Sequence, residues 1–309
     1  MIDATLNSLR ARFGDRAQFD EPLSRHTSFR IGGPADVWIE VESEEEVRSV
    51  QITAAEAGLP LFVLGGGTNV LVSDRGVRGV VVKLGRAFAT IDWRPNGSGT
   101  YVHAGAGVPF KKLVTAAADR GLTGLEFAEG IPGSLGGGLL MNAGAFGGEI
   151  AQVVEAIHGV DAQHGAQRLA RAALRFGYRH FDLPSRFVVT YLEFRLVKGD
   201  PAAVRERMLA NKRKRDAHQP LGYPNAGSIF KNPPGHYAGR LIEAVGLKGR
   251  RVGGAMVSEQ HANFIVNVGN ATAADVYTLI REISERVWQA KQVRLDLEVK
   301  LIGEWGDAR

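Results

Sequence analysis

Two stretches of the chain carry so few side chains that their backbone must make the contacts there. Residues 65–69 read Gly-Gly-Gly-Thr-Asn, and residues 130–148 hold eight glycines within nineteen positions. Glycine reaches positive φ angles at little steric cost and lets another molecule approach the backbone closely. The 39 glycines of the 309 residues are clustered and follow no period, which excludes a collagen-like chain. The two glycine loops therefore predict two backbone-lined binding segments.

The first glycine loop, residues 65–71, follows the apolar run 61–64, which we predict to be a buried strand. No Gly-Lys-Ser/Thr follows the glycines, so the loop is not a P-loop. A predicted strand at 70–72, rather than a helix, comes next, which excludes the dinucleotide fingerprint of a parallel βαβ unit. The remaining interpretations are an anion-binding backbone nest and an ordinary tight turn. Together with the second glycine loop, residues 130–148, a nest could hold one end of a dinucleotide.

Periodicity and capping signals predict an α+β chain in three parts, residues 1–85, 86–200 and 201–309. Alternation predicts strands at 36–41 and 295–302, and Ser43 with Glu46 predicts a capped helix that ends at Gly58. A further helix is expected from Pro109 to Gly121. Thr272 and Asp275 are expected to cap a helix whose apolar residues follow the 3.6-residue period: Val276, Leu279, Ile280, Ile283 and Val287.

Composition excludes several classes of function. The chain has no Cys, which removes disulfides, thiolate metal sites and a cysteine nucleophile, and we expect no metal site. No apolar run reaches the ~18 residues of a membrane span, and the first residues lack a basic signal-peptide start. The net charge of +5 fits anionic small molecules as well as a nucleic acid, and for most soluble proteins such an excess means only solubility. These features predict a soluble, cytoplasmic protein without membrane insertion.

Several motifs, in order along residues 20–305, carry a resemblance to a known family. They are Thr-Ser-Phe-Arg-Ile-Gly-Gly-Pro-Ala at 27–35, the first glycine loop, residues 126–148, Gly-Tyr-Arg at 177–179, Asn-Ala-Gly-Ser-Ile-Phe-Lys-Asn-Pro at 225–233, and Leu-Glu-Val-Lys-Leu-Ile-Gly at 297–303. In this combination the chain resembles the UDP-N-acetylenolpyruvoylglucosamine reductase family. It resembles the shorter class of that family, which lacks the extra substrate-capping insertion.

The resemblance implies a fold and an activity. The first two parts would form a two-subdomain FAD-binding domain of the vanillyl-alcohol-oxidase type, and the third an α+β substrate-binding domain. The family uses NADPH as co-substrate and non-covalent FAD to reduce UDP-N-acetylglucosamine enolpyruvate to UDP-N-acetylmuramate in peptidoglycan precursor synthesis. Hydride passes from flavin N5 to the enolpyruvyl β-carbon, and a proton goes to the α-carbon.

The resemblance also implies site residues. Those expected to bind FAD lie in the two glycine loops: Gly65, Gly66, Gly67, Thr68, Asn69, Val70, Leu71, Gly130, Ile131, Pro132, Gly133, Ser134, Gly137, Asn142 and Gly144. Those expected near the substrate are Tyr178, Lys231, Asn232 and His261. His218 departs from the family pattern, where a Lys often precedes Gln-Pro. If that Lys contacts the substrate in the family, His218 would make the contact sensitive to pH and change the affinity for substrate.

The resemblance makes three residues catalytic. Ser228 would donate the proton, and Arg179 would face the substrate carboxylate, where a guanidinium stabilises developing charge. Glu298 would lie beside a forming anion, so we expect it to be protonated and to donate a hydrogen bond. The residues alone favour simpler interpretations: a solvated glutamate opposite the apolar face of a strand, a surface arginine and a turn serine.

Two other functions compete with the reductase. A different oxidoreductase on the same flavin fold would often tether FAD through Cys or His, yet the chain has no Cys and neither glycine loop contains a His. A nucleic-acid-binding module could use the basic run at 212–215, Lys-Arg-Lys-Arg. Such a module would bind a duplex with a steep dependence on salt, but the chain lacks interleaved aromatic and basic residues, and we expect no nucleic-acid partner.

Overall fold

A computed structural model describes residues 2–97, 99–220 and 222–305, and this part of the chain contains both helices and strands. The helices are α1 (Ile2–Phe13), α2 (Glu44–Glu56), α3 (Phe110–Asp119), α4 (Leu135–Leu140), α5 (Pro201–His218), α6 (Ala238–Ala244) and α7 (Ala273–Lys291). No helix in these ranges is both long and apolar enough to cross a membrane.

The strands are mostly short. They are β1 (Ala17–Pro22), β2 (Pro34–Val41), β3 (Leu61–Val63), β4 (Val70–Val72), β5 (Val77–Leu84), β6 (Ile91–Asn96), β7 (Gly99–Gly105), β8 (Leu122–Thr123), β9 (Gly144–Ala145), β10 (Gly148–Glu149), β11 (Val154–Asp161), β12 (Gly165–Ala170), β13 (Phe176–Gly177), β14 (His180–Phe181), β15 (Phe187–Lys198), β16 (Asn225–Ser228), β17 (Arg251–Val252), β18 (Ala255–Val257), β19 (Phe264–Asn267) and β20 (Lys300–Ile302). Strands β1, β2, β5 and β3 form a sheet in that order.

The chain divides into two compact units, each made of several segments. Unit 1 contains Met1–Gln18, Val37–Gly66 and Gly79–Arg215, and unit 2 contains Phe19–Asp36, Gly67–Arg78 and Asp216–Arg309. The first glycine loop begins in unit 1 with Gly65 and Gly66 and continues in unit 2 from Gly67.

Unit 1 is built on an antiparallel sheet of order β12-β11-β15-β7-β6, with β8 also pairing with β15. Its long strand β15 pairs with β7 from Tyr191↔Gly105 to Val197↔Gly99. Helix α3 buries Leu113 and Val114, and its bounds confirm the helix predicted between Pro109 and Gly121. Helix α2 begins after Ser43, whose side chain accepts the Glu46 N–H as predicted.

Unit 2 packs helices around the sheet of order β16-β19-β18-β17. Helix α7 begins with the predicted capping box of Thr272 and Asp275, and its apolar residues at the 3.6-residue spacing are all buried. They join one hydrophobic core with Phe29, Leu71 and Phe230. Strand β4 pairs in parallel with β20, from Val70↔Lys300 to Val72↔Ile302, so the residues that follow the first glycine loop are fixed to the C-terminal strand.

Two predicted strands differ from the structure. The run 61–64 is not buried throughout, because Phe62 and Val63 are 36% and 38% exposed. The predicted strand 295–302 is regular only at Lys300–Ile302. Before it, Leu297 forms an isolated bridge with Phe230, and Glu298 N and Val299 N both turn to the carbonyl of Ile229. The alternation of apolar and polar residues in the sequence cannot show that two neighbouring N–H groups share one carbonyl acceptor.

Candidate active site

The two glycine loops lie side by side in unit 1. A Cβ placed on Gly66 would come within 2.6 Å of the Gly133 Cα, and one on Gly65 within 2.5 Å of the Ser134 Oγ. Only glycine allows backbones to approach this closely. The loops therefore form one continuous surface in this unit.

A pocket in unit 1 opens beside this surface. Its walls combine bare backbone with apolar side chains: Val63, Leu64, Gly65, Lys83, Leu84, Ala106, Gly107, Ser134, Gly136, Gly137, Leu140, Leu183, Phe187, Val188 and Val189. Val63 lines it, which accounts for its exposure. Lys83 donates from Nζ to the Gly65 carbonyl at 2.7 Å, and burial lowers the pKa of its ammonium group. Such a pocket suits a flat, largely apolar ligand with a few polar edges.

The second glycine loop contains a short helix that sequence reasoning missed. Helix α4 spans Leu135–Leu140, and the side chain of Ser134 accepts the Gly137 N–H at its start. Three successive glycines inside a helix each cost about 1 kcal/mol relative to alanine, so propensity argues against helix here. Tertiary packing decides instead, since Leu135 and Leu139 are fully buried.

Asn142 and Gly144 have structural partners within unit 1. The Asn142 side chain is 1% exposed, accepts the Ala151 N–H at 3.1 Å and donates to the Gly177 carbonyl at 3.0 Å. Gly144 pairs with Glu149 between β9 and β10. The Asn142 amide therefore holds the base of the neighbouring hairpin, and its expected contact with the cofactor stays a prediction.

That hairpin presents Arg179. Strands β13 and β14 pair Gly177 with His180, so Tyr178 and Arg179 form a two-residue turn. Arg179 has φ +55°, the left-handed region that a non-glycine residue enters only at a cost. Its guanidinium lies 5.4 Å from the centroid of the exposed Tyr178 ring. A strained arginine at a turn is a stronger functional signal than the surface arginine that the residues alone suggest.

In unit 2, the rest of the first glycine loop is fixed by its neighbours. Gly67 has φ +62°, and a Cβ on it would overlap the His26 carbonyl. Its own carbonyl accepts the Ser28 N–H at 3.0 Å. The Ser28 hydroxyl donates to the Asn225 carbonyl at 2.7 Å. Ser28 thus connects the first glycine loop with β16, the strand that carries Ser228.

Ser228 lies at a bulge of strand β16. Asn225 pairs with Val266 and Ser228 with Phe264, with an irregular register between them. The Asn225 side chain accepts the Gly227 N–H at 2.9 Å, and Gly227 has φ +74°. Bulges of this kind redirect a side chain and are frequent beside active sites. Ser228 is half-buried and is more than the simple turn residue that its sequence suggests.

The structure brings Glu298 next to Ser228 along the backbone. Glu298 N donates to the carbonyl of Ile229 at 2.8 Å, and Ile229 is the residue after Ser228. Glu298 is half-buried, so the interpretation as a fully solvated glutamate is wrong. Arg179 belongs to unit 1 and is placed there by its hairpin, as described above.

The other expected substrate residues differ in how far their side chains are occupied. Lys231 is held through its backbone N–H, which donates to the Asp296 carbonyl at 2.8 Å. Asn232 accepts the Ala238 N–H at 3.0 Å at the start of α6. His261 accepts the Asn263 N–H at Nδ1, and burial lowers the pKa of its ring. A neutral His261 therefore carries its proton on Nε2.

Comparisons with known proteins identify the family. A sequence model described as "UDP-N-acetylenolpyruvoylglucosamine reductase, C-terminal domain" matches residues 219–302, and one described as "FAD binding domain" matches residues 35–167. The UDP-N-acetylenolpyruvoylglucosamine reductase 2 of Symbiobacterium thermophilum is 49% identical over 287 residues, 93% of this chain and 91% of that protein. The chain belongs to the UDP-N-acetylenolpyruvoylglucosamine reductase family.

Further relatives agree with this membership over nearly the whole chain. The UDP-N-acetylenolpyruvoylglucosamine reductase of Moorella thermoacetica is 47% identical over 93% of both proteins. The crystal structure of the reductase from Thermus caldophilus superposes with a TM-score of 0.79 at 37% identity, covering 93% of this chain and 98% of that one. These matches confirm the predicted α+β fold with a FAD-binding domain and a C-terminal reductase domain.

The residues of unit 1 fit the FAD that this family requires. The FAD-binding match at 35–167 includes Gly65, Gly66 and the whole second glycine loop. The contact between Gly66 and Gly133 leaves no room for a side chain, and backbone N–H groups on such bare loops are typical partners of ligand phosphates. Gly65, Gly133, Ser134 and Gly137 are among the unit 1 residues expected to hold the cofactor, and this assignment stays a prediction.

Sequence reasoning missed the contribution of helix α5. Its Arg207 forms hydrogen bonds with Glu126 at 2.6 and 3.1 Å, and Asn211 donates to the Glu126 carbonyl. Arg215, the last residue of the basic run 212–215, donates to the Glu129 carbonyl and packs on Gly130. Helix α5 therefore contacts residues 126–130, which lead into the second glycine loop. A cluster of positive charge on a helix does not by itself reveal that role.

Proposed function

We propose that this protein reduces UDP-N-acetylglucosamine enolpyruvate to UDP-N-acetylmuramate, with FAD as cofactor and NADPH as co-substrate. The observation that carries the proposal is the 49% identity to a named reductase over 93% of the chain. By the motif resemblance, the bulged Ser228, Glu298 beside it and Arg179 at its strained turn are proposed for the catalytic positions of the family.

Bound FAD supplies the hydride for the double bond, and the chain supplies the proton and the charge stabilisation. We assign the proton to the Ser228 Oγ, which would deliver it to the α-carbon of the substrate. The bulge of β16 and the bonds around Ile229 fix the backbone on both sides of this hydroxyl. A rigid support of this kind favours general-acid catalysis, because proton transfer requires a donor within about 3 Å of its acceptor.

Arg179 and Glu298 are proposed to act on the charge that develops at the substrate carboxylate. A guanidinium offers planar, paired N–H donors that match a carboxylate. Glu298 would assist as a protonated donor, since an ionised carboxylate would repel the same charge. The turn that holds Arg179 and the two backbone bonds to Ile229 keep both groups on fixed supports, as electrostatic catalysis requires.

Substrate binding is proposed to use Tyr178, Lys231, Asn232 and His261. The exposed Tyr178 ring and the cationic Lys231 suit a sugar nucleotide. Asn232 already accepts one backbone N–H through its Oδ1, so its amide nitrogen is the group proposed to face the substrate. His218 stands where the family pattern has Lys, and we keep the expectation of pH-dependent affinity at this position.

Three further features of the protein are part of the proposal. Residues 1–85 and 86–200 would act as the two FAD-binding subdomains, and residues 201–309 as the substrate domain. These bounds differ from the two compact units of the structure, whose segments alternate along the sequence. The chain would belong to the shorter class. We also propose that the enzyme works in the cytoplasm, where the reductant NADPH is available.

The test separates the two halves of the reaction in Ser228→Ala. In anaerobic stopped-flow absorbance at about 450 nm, NADPH should bleach the flavin at the wild-type rate, because that step needs no proton for the substrate. Reoxidation by the enolpyruvyl substrate should slow by about 10²–10⁴-fold, the usual range for loss of a general acid.

Ser8→Ala, an exposed serine on α1, is the matched control and should leave both rates unchanged. Reoxidation of Ser228→Ala at the wild-type rate would remove the proton-donor role. Wild-type protein that the enolpyruvyl substrate fails to reoxidise would contradict the proposed function itself.

A further inference from the structure

Asn69, in the first glycine loop, contacts the segment that carries Glu298. Its side-chain Nδ2 donates to the Glu298 carbonyl at 3.1 Å. Its own carbonyl accepts the Lys300 N–H at 3.0 Å. The next residue, Val70, begins the parallel pairing of β4 with β20. Asn69 therefore binds both ends of the segment 298–300 and fixes its position against the loop.

The same segment reaches Ser228 through Ile229. The carbonyl of Ile229 accepts Glu298 N at 2.8 Å and Val299 N at 3.3 Å, and Ile229 N donates to the Asn263 carbonyl at 2.9 Å. Ile229 is fully buried, 1% exposed. A displacement of Glu298 would therefore move the Ile229 peptide, and with it the hydroxyl of the preceding Ser228.

We propose that Asn69 is a positioning residue for proton transfer. Its hydrogen bonds would hold Glu298, and through Ile229 also Ser228, in place relative to the first glycine loop. The inference rests on the proposed function and goes beyond the expectation that Asn69 simply binds FAD. One amide in the loop thus fixes the two catalytic groups of unit 2. An error of about 1 Å in such a placement is enough to slow a reaction by about 10²-fold.

The chemistry of the contact explains why the residue is Asn. The amide supplies a neutral N–H donor to the Glu298 carbonyl. Asp at this position has the same shape but only acceptor oxygens when ionised, so it would face the carbonyl with a repulsive contact. Ala would remove the contact without repulsion. Asn69→Ala therefore tests loss of the hydrogen bond alone. Asn69→Asp tests loss of the bond together with repulsion of the Glu298 carbonyl.

The experiment compares Asn69→Asp and Asn69→Ala with the wild-type holoenzyme in both half-reactions, together with the dissociation constant of FAD from fluorescence titration of the apoprotein. With FAD at saturating concentration, the rate of flavin bleaching by NADPH should stay within about threefold of wild type. The FAD dissociation constant measures separately any cofactor binding that the Asn69 side chain contributes. Reoxidation by the enolpyruvyl substrate should slow about 10–100-fold in Asn69→Ala and further in Asn69→Asp. Asn270→Asp, the same change at an exposed position, should leave all three quantities unchanged.

A double-mutant cycle identifies the route of the effect. If Asn69 acts through Ser228, Asn69→Ala should slow reoxidation much less in a Ser228→Ala background than in the wild type. Additive effects, an unchanged reoxidation rate, or loss of FAD affinity in proportion to the rate would each overturn the inference. These outcomes are distinct from failure of the proposed function, since that is judged by reoxidation of the wild-type protein alone.

Discussion

Arg179 is the residue at which backbone strain and proposed chemistry coincide. It occupies the second position of a two-residue hairpin turn with φ +55°, where glycine is normally favoured. A turn selected only for stability would carry Gly, because a Cβ in this region costs about 1 kcal/mol. Arg186 has the same backbone conformation, φ +62°, so the strain at Arg179 agrees with its proposed role but does not by itself assign it.

Replacing Arg179 with Gly should therefore change stability and activity in opposite directions. Arg179→Gly is expected to raise the free energy of unfolding by up to about 1 kcal/mol through relief of the turn, while kcat/KM for the enolpyruvyl substrate falls by at least about 10²-fold. Urea unfolding and steady-state kinetics measure the two effects. Arg186→Gly is the control, since Arg186 is exposed and has φ +62°; it should gain stability and keep its activity. Unchanged kcat/KM in Arg179→Gly would exclude a catalytic role.

Individual residues also show which parts of the site could be predicted from the sequence. The glycine loops and the motif around Ser228 were recognisable because glycine content and motif order are read directly from the chain. The roles of Asn69 and Asn142 were not, because both depend on carbonyl groups distant in sequence, those of Glu298 and Gly177. Hydrogen bonds from a side chain to a remote backbone group leave no local pattern in the sequence.

The main sheet of unit 1 carries a charged cluster on three neighbouring strands. Glu193 on β15 accepts hydrogen bonds from Arg168 on β12 at 2.6 and 3.0 Å and lies 2.6 Å from His158 Nε2 on β11. Arg168, opposing partial burial, is the main cause that lowers the pKa of Glu193 to about 2, and His158 adds to it. The ring of His103 on β7 meets His158 edge-on at 5.1 Å. The carboxylate on β15 thus contacts side chains on both β11 and β12.

This cluster predicts a loss of stability in acid. Because the pKa of Glu193 is lower in the folded state than its ordinary value of 4.5, its contribution is complete above about pH 4.5 and disappears as the pH falls towards 2. Glu193→Gln should lower the free energy of unfolding at pH 7 by about 1–2 kcal/mol, less than the full shift since Arg168 is half exposed. Urea unfolding at several pH values should show the two proteins converging in acid. Glu56→Gln, at an exposed end of α2, should show no difference; a constant gap for Glu193→Gln would contradict the assignment.

Elements with strong local signals were predicted well, and those decided by tertiary contacts were not. The capping box and apolar spacing of α7 fixed its start and its buried face. Helix α4 was missed because its three glycines disfavour a helix, whereas burial of Leu135 and Leu139 stabilises one. The strand predicted at 295–302 was too long because Glu298 and Val299 share one acceptor, a departure from regular pairing that side-chain alternation does not record.

At the scale of the whole molecule, the proposed FAD site combines segments that are far apart in sequence. The strand before Gly65, the loop at Gly133 and the helix containing Arg215 meet in unit 1. A site of this kind requires the surrounding fold, so a ligand that binds only the folded state stabilises it by mass action. Because Gly66 lies so close to Gly133, the methyl group of Gly66→Ala should weaken FAD binding and reduce the stabilisation that FAD gives.

Binding of FAD should raise the melting temperature of the apoprotein, and Gly66→Ala should remove at least about half of that rise. At a free FAD concentration of about 100 times Kd the stabilisation is about 2.7 kcal/mol, which corresponds to roughly 5 °C for a chain of this size. The Cβ of Gly66→Ala would lie 2.6 Å from the Gly133 Cα, so the loops must separate and FAD affinity should fall at least about 10-fold. Differential scanning calorimetry with and without FAD measures both effects. Gly222→Ala, where a Cβ meets no atom within 4 Å, should keep the full rise. If Gly66→Ala showed the same rise as wild type at every FAD concentration, the contact between the two loops could not be part of the cofactor site.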